Sequence, residues 1–118
     1  MVLAAVLAGS GTLFAASREP SYVGLWRSAG QSCQASEQAL TSYTRYSMRN
    51  ETRACRIARV EANRPNWTLT LECKGVNDQP TFSIVEQLGM SDDANVLKVS
   101  WHSPDLASRG EQELHRCP

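Results

Sequence analysis

Apolar and polar residues alternate with period two along most of this chain, the pattern of strands that bury one face. The cleanest run is Trp67 to Lys74, where Trp67, Leu69, Leu71 and Cys73 share one face and Thr68, Thr70, Glu72 and Lys74 the other. Leu97, Val99 and Trp101 make a second such face within a strand predicted over Val96 to His102. Further strands are predicted over Tyr22 to Arg27, Tyr43 to Met48, Ala54 to Glu61, Thr81 to Leu88 and Glu111 to Cys117. Turn-forming clusters separate them, among them Asn63-Arg64-Pro65-Asn66, Asn77-Asp78-Gln79-Pro80 and Ser91-Asp92-Asp93. Only Ala35 to Leu40, with Ser36 as its cap, reads as a helix, and its length allows one or two turns. About 7–8 strands with polar turns and one short helix predict an all-β fold, a single small antiparallel barrel or sandwich.

One stretch breaks the alternation. Val2 to Ala16 carries no charge, consists mostly of Ala, Leu and Val, and ends in the small residues Ala15-Ala16-Ser17. It reads as a signal peptide, residues 1–17, cut before Arg18. Gly9-Ser10-Gly11 interrupts it, and it falls short of the ~20 apolar residues that span a bilayer. No membrane insertion is expected after cleavage. Val6-Leu7-Ala8-Gly9 is similar to the approach to a lipoprotein cleavage site, but Ser10 replaces the cysteine that carries the lipid. The remainder, residues 18–118, is short enough to be one domain. Ten arginines against two lysines, with abundant alanine, resemble the codon bias of a GC-rich bacterial genome. A periplasmic or secreted bacterial protein is the expectation.

Four cysteines fit that destination, since small exported domains are commonly stapled by disulfides. They allow three connectivities. If Cys55 lies opposite Cys73 across the hairpin, the same register sets Ile57 opposite Leu71 on the buried face, so hydrophobic pattern and disulfide ask for one register. Cys55–Cys73 is therefore inferred, leaving Cys33–Cys117. A zinc site would favour Cys-x-x-Cys pairs, whereas here the separations are 22, 18 and 44 residues. No cofactor or metal is expected.

At Tyr22-Val23-Gly24-Leu25-Trp26 and Leu114-His115-Arg116 the chain resembles the lipocalin-like, or calycin, superfamily. The resemblance implies a barrel opened by Gly24 and Trp26 on its first strand and closed by Arg116 stacking over Trp26 from the last. The Gly-x-Trp strand followed by a cysteine also resembles small bacterial periplasmic barrels, including those that inhibit metalloproteases, as well as small exported bacterial proteins with an Arg-Cys ending. In the inhibitors an N-terminal trunk enters the protease cleft; here only Arg18 to Ser21 precedes the first strand.

The twelve basic and twelve acidic residues cancel, which removes an electrostatic case for nucleic acid or an anionic membrane. Catalytic patterns are sparse. His102 and His115 fall opposite the core positions Trp101 and Leu114, no Gly-x-Ser-x-Gly surrounds a serine, and all four cysteines are claimed by bridges. Glu111 and Glu113 share a strand face and read as solubilising charges, and Ser91-Asp92-Asp93-Ala94-Asn95 reads as a turn rather than a calcium loop. Trp67 and Trp101 are expected in the core. The cluster Arg45, Arg49, Arg53, Arg56 and Arg59 is the one candidate anion or partner surface, with Arg53 and Arg59 on the face of Cys55 and Ile57 and Arg56 on the other. The expectation is a non-catalytic exported binding module, including inhibition of an envelope or secreted enzyme. The alternative is a carrier of a small apolar ligand in a barrel mouth.

Overall fold

In the computed structural model, which describes residues 19–75 and 80–118, each strand pairs antiparallel with the next and the last returns to the first. The strands are β1 (Gly24–Ser28), β2 (Thr41–Tyr43), β3 (Ser47–Arg49), β4 (Ala54–Asn63), β5 (Asn66–Cys73), β6 (Phe82–Met90), β7 (Val96–Ser103) and β8 (Ser108–Arg116). They form a closed barrel, which decides between the two expected all-β architectures. The proposed signal peptide lies outside the described residues.

The period-two pattern places the core. Trp67, Leu69, Leu71 and Cys73 of β5 point inward, joined by Ile84 and Leu88 of β6, Leu97 and Val99 of β7, and Leu114 of β8. From the short strands β1, β2 and β3 come Trp26, Tyr43 and Met48, and from the start of β4 comes Cys55. Tyr22, just before β1, packs edge-on against the rings of Tyr43 and Trp67, at 5.6 and 5.3 Å between centroids. An eight-stranded barrel is about wide enough for its inward side chains to meet. Here those of Trp26, Leu69, Leu71 and Leu114 are fully buried.

Both disulfides are those the hairpin register implied. Cys55 is directly opposite Cys73, and Ile57 opposite Leu71. Cys33 joins Cys117 across 84 residues of sequence.

Three expectations change. The segment Tyr43 to Met48 is not one strand; β2 ends at Tyr43 and β3 starts at Ser47. The Thr44 hydroxyl accepts from the backbone N–H groups of Tyr46 and Ser47 and closes a tight turn between them. The helix over Ala35 to Leu40 is absent. Ala39 and Leu40 donate to the carbonyls of Ser36 and Glu37 in two overlapping i to i+3 turns that go no further. Six residues do not recover the cost of helix nucleation, and Gln31 Nε2 draws off the Ala39 carbonyl at 2.8 Å. Third, a bulge between Ile57 and Arg59 shifts the β4 register, so Arg59 pairs with Thr70 rather than continuing the face of Ile57.

Candidate functional site

The barrel interior holds one charged group that the alternation places there and that no apolar pattern would supply. Glu86 lies on β6 between Ile84 and Leu88, on the inward face, and is fully buried. Its Oε1 accepts a 2.5 Å hydrogen bond from the Tyr43 hydroxyl, reaching in from β2. Its Oε2 lies 3.7 Å from a guanidinium nitrogen of Arg53, which enters from the turn before β4. The same guanidinium stands 4.6 Å over the Trp101 ring. That ring lies flat against Gly110, its cross-strand partner, where an added Cβ would stand 2.8 Å from Trp101 Cζ2. Burial pushes the Glu86 carboxyl above its ordinary range, and the Tyr43 bond and Arg53 charge offset part of that rise. Burial first, then the neighbouring Glu86 charge, raises the Tyr43 phenol well above its usual value. Glu86 Oε2 and Arg53 Nε are buried without a hydrogen-bond partner. The arrangement is a buried carboxyl, guanidinium and phenol joining β2, β6 and β7 to the turn before β4.

At the other end, Arg116 lies 4.3 Å over the Trp26 ring, and Trp26 and Arg116 are cross-strand partners in the β1–β8 seam. Arg116 Nε donates to the Ala94 carbonyl, and its two Nη atoms donate to the carbonyls of Val23 and Ser21. Gly24, at φ +149°, keeps space for this guanidinium: a Cβ there would stand 2.9 Å from Arg116 Nη1.

The concave surfaces lie on the outside. A depression of about 820 Å³ is lined by two rows of outward side chains, Thr68, Gln87, Ser100 and Glu111 on one bank and Asn66, Lys98 and Glu113 on the other. Register explains its shape. Each row runs across β5, β6, β7 and β8, and the row between them, Trp67, Leu88, Val99 and Gln112, lies on the opposite, core-facing alternation and leaves backbone as the floor. Gly89 completes the second bank and carries no side chain, which widens it. A neighbouring depression of about 550 Å³ shares Gln87, Ser100 and Glu111 and extends to His102 and Arg109. Together they make a polar groove system transverse to the strands, with carboxylates, cations and amides on its banks.

The five arginines do not form one surface. Arg53 turns into the barrel, Arg56 pairs with Glu72 on the outside, Arg59 lies 3.7 Å from Glu61, Arg49 is exposed on β3 and Arg45 sits half-buried in the β2–β3 turn. The expected common face of Arg53 and Arg59 is undone by the bulge. His102 is exposed and His115 partly so, 3.2 Å from Glu113, and their cross-strand partners Arg109 and Val96 set them at opposite ends of the β7–β8 ladder. In the Ser91 to Asn95 turn, Asp93 accepts from the Ser91 hydroxyl and the Asn95 N–H, which holds its carboxyl below the usual range. Among the described residues no group of three or more His, Cys, Asp or Glu is placed to hold a metal ion. Trp67 and Trp101 both face the interior, Trp67 buried and Trp101 partly so.

Sequence reasoning passed over Glu86, Tyr43 and the groove row Thr68, Gln87 and Ser100. For Glu86 a signal existed: it occupies an inward position of Ile84-Val85-Glu86-Gln87-Leu88, where an alternating strand calls for an apolar side chain. No protein family, curated protein or solved structure matches this chain.

Proposed function

We propose that this protein is an exported, non-catalytic interaction module of lipocalin-like architecture, working in the periplasm or outside a bacterial cell, which binds a polypeptide partner along the outer groove of β5–β8. The observation that carries the reading is where the free volume lies. The lumen is occupied by fully buried side chains, whereas the larger depression has outward polar side chains on both banks and backbone on its floor. Such a surface offers alternating donors and acceptors, Lys98 against Glu113 and Gln87 against Ser100, suited to the amides and charges of an extended chain rather than to an apolar molecule. The Gly24, Trp26 and Arg116 arrangement supports the lipocalin-like assignment, and the two disulfides fit an oxidising compartment. Inhibition of an envelope or secreted enzyme is the form of binding that an exported module without catalytic groups serves most directly.

The test is site-specific photo-crosslinking. A photoreactive side chain at Ser100 or Gln87 is expected to yield a discrete polypeptide adduct in envelope extract, and the same group at exposed Arg49 on β3 is expected to yield none. Glu111→Arg should abolish the Ser100 adduct. Equal labelling from all three positions, or none from the groove, would discard the reading.

A further inference from the structure

The barrel is closed by short ladders on one side, and among the described residues this leaves one edge of part of its longest strand unpaired. β3 pairs with β4 only at Ala54, Cys55 and Arg56. β4 then continues for seven residues, and from Arg59 to Asn63 it pairs with β5 on one side; among the described residues no other strand pairs with it there. Ala58 to Asn63 are all exposed. Every second residue of such a strand turns its N–H and C=O away from β5, toward an open edge. Beside that edge stand two of the large apolar side chains the surface exposes, Val60 at 41% and Tyr46 at 71%, with the Tyr46 carbonyl accepting from Ile57 N–H where the edge begins.

Natural sheet edges are usually blunted by charge, and this one carries Arg59 and Glu61. Their order gives the edge a property that simple blunting does not need. Set antiparallel to a second copy of itself about a two-fold axis through Val60, the segment reads Ala58-Arg59-Val60-Glu61-Ala62 in one direction and Ala62-Glu61-Val60-Arg59-Ala58 in the other. Arg59 then faces Glu61 of the second copy and Glu61 faces its Arg59, both pairs on the outer face. Val60 meets Val60, and Ala58 meets Ala62. The same register sets Ile57 opposite Asn63 of the second copy, which carries exposed Tyr46 toward that copy's Asn63–Asn66 turn. Shifting the register by two residues destroys both ion pairs, so the charges select one alignment while deterring others.

We infer that the open edge of β4, residues 58–63, is a self-complementary docking strand that joins two copies of this chain into an isologous dimer with one sheet running β5–β4–β4–β5 across the axis. The surface is separate from the β5–β8 groove and goes beyond the interaction reading above. A two-fold contact uses the same patch on both subunits, as this one does. It is small, so the dimer dissociates on dilution.

Sedimentation velocity of the purified, oxidised protein over a wide concentration series tests it. The expected result is a monomer–dimer equilibrium that weakens with added salt. Glu61→Arg sets Arg against Arg at both pairs and is expected to weaken the dimer about tenfold or more. Arg59→Glu combined with Glu61→Arg exchanges the charges, rebuilds both pairs, and is expected to restore the original association. Both positions are exposed, and near-ultraviolet circular dichroism checks that each variant keeps its packing. A wild type that stays monomeric at the highest concentration, a dimer indifferent to Glu61→Arg, or a double exchange that fails to restore association would each overturn the inference.

Discussion

Two side chains carry disproportionate weight in this barrel, and their chemistry is opposite. Arg116 contributes by being partly desolvated over Trp26 while three backbone carbonyls satisfy its donors. Replacing it with Met keeps the aliphatic volume and removes both the stack and the carbonyl bonds, at a cost of about 2 to 3 kcal/mol. Arg116→Lys recovers only part, because one ammonium group lacks the planar fork that reaches the separate carbonyls of Ser21, Val23 and Ala94. An unchanged urea midpoint in Arg116→Met would show that the seam does not depend on the guanidinium. Glu86 works against stability as it ionises. Burial raises its folded-state value, so between its unfolded and folded values the native protein holds a proton that the unfolded chain has released. Its contribution is therefore most favourable on the acid side, declines as pH rises through that window above the ordinary carboxylate range, and is level beyond it. Glu86→Gln lacks this decline. Plotted against pH, the urea midpoint of wild type should fall relative to that of Glu86→Gln across the window, and parallel curves would rule out Glu86 as the source.

At the level of strands, what the sequence made legible depended on length and on alternation. β5 and β7 alternate over eight residues each, and their inward faces are those the pattern names. The Cys55–Cys73 pairing was legible because an apolar pair on one face, partly buried Ile57 and buried Leu71, had to share its register. β2 and β3 were not, since three residues hold too little pattern to separate two strands from one, and the evidence for the break lies in the Thr44 hydroxyl rather than in hydrophobicity. The bulge in β4 left no trace either: Ala58 is as acceptable in a regular strand as beside an unpaired turn of the ladder. Of the candidate site, the chemistry of single residues was readable and their company was not. Arg53 was visible as a cation on the Cys55 face, but Glu86, Tyr43 and Trp101 come to it from 33, 10 and 48 residues away along the chain, and only barrel closure brings them together. The groove escaped for a related reason. Its banks are rows across four strands, and no stretch of sequence contains a row.

For the molecule as a whole, the barrel is uneven around its circumference. β4 to β8 form a wall of long strands with ladders of six to eight paired residues, whereas β1, β2 and β3 meet their neighbours over two or three. A short ladder contributes few backbone bonds, so this arc depends more on its buried side chains Trp26, Tyr43 and Met48, on Arg116 over Trp26, on the Tyr43 bond to Glu86, and on Cys33–Cys117 tying the β1–β2 loop to the end of β8. Local stability follows such differences, and the least supported segment opens first. By chain entropy the Cys33–Cys117 bridge, closing 84 residues, contributes about 4.5 kcal/mol against the unfolded chain. Replacing both cysteines with serine is expected to speed amide hydrogen exchange at Gly24–Ser28, Thr41–Tyr43 and Ser47–Arg49 well beyond the change at Leu69, Leu71, Ile84 and Val99. A uniform acceleration would mean that the barrel opens as one cooperative unit and that the short arc is no weaker than the wall. Selective acceleration would place the opening seam beside β4, the strand whose far edge has no paired strand among the described residues, and would make β1 to β3 the part of the molecule that moves while the groove on β5–β8 keeps its shape.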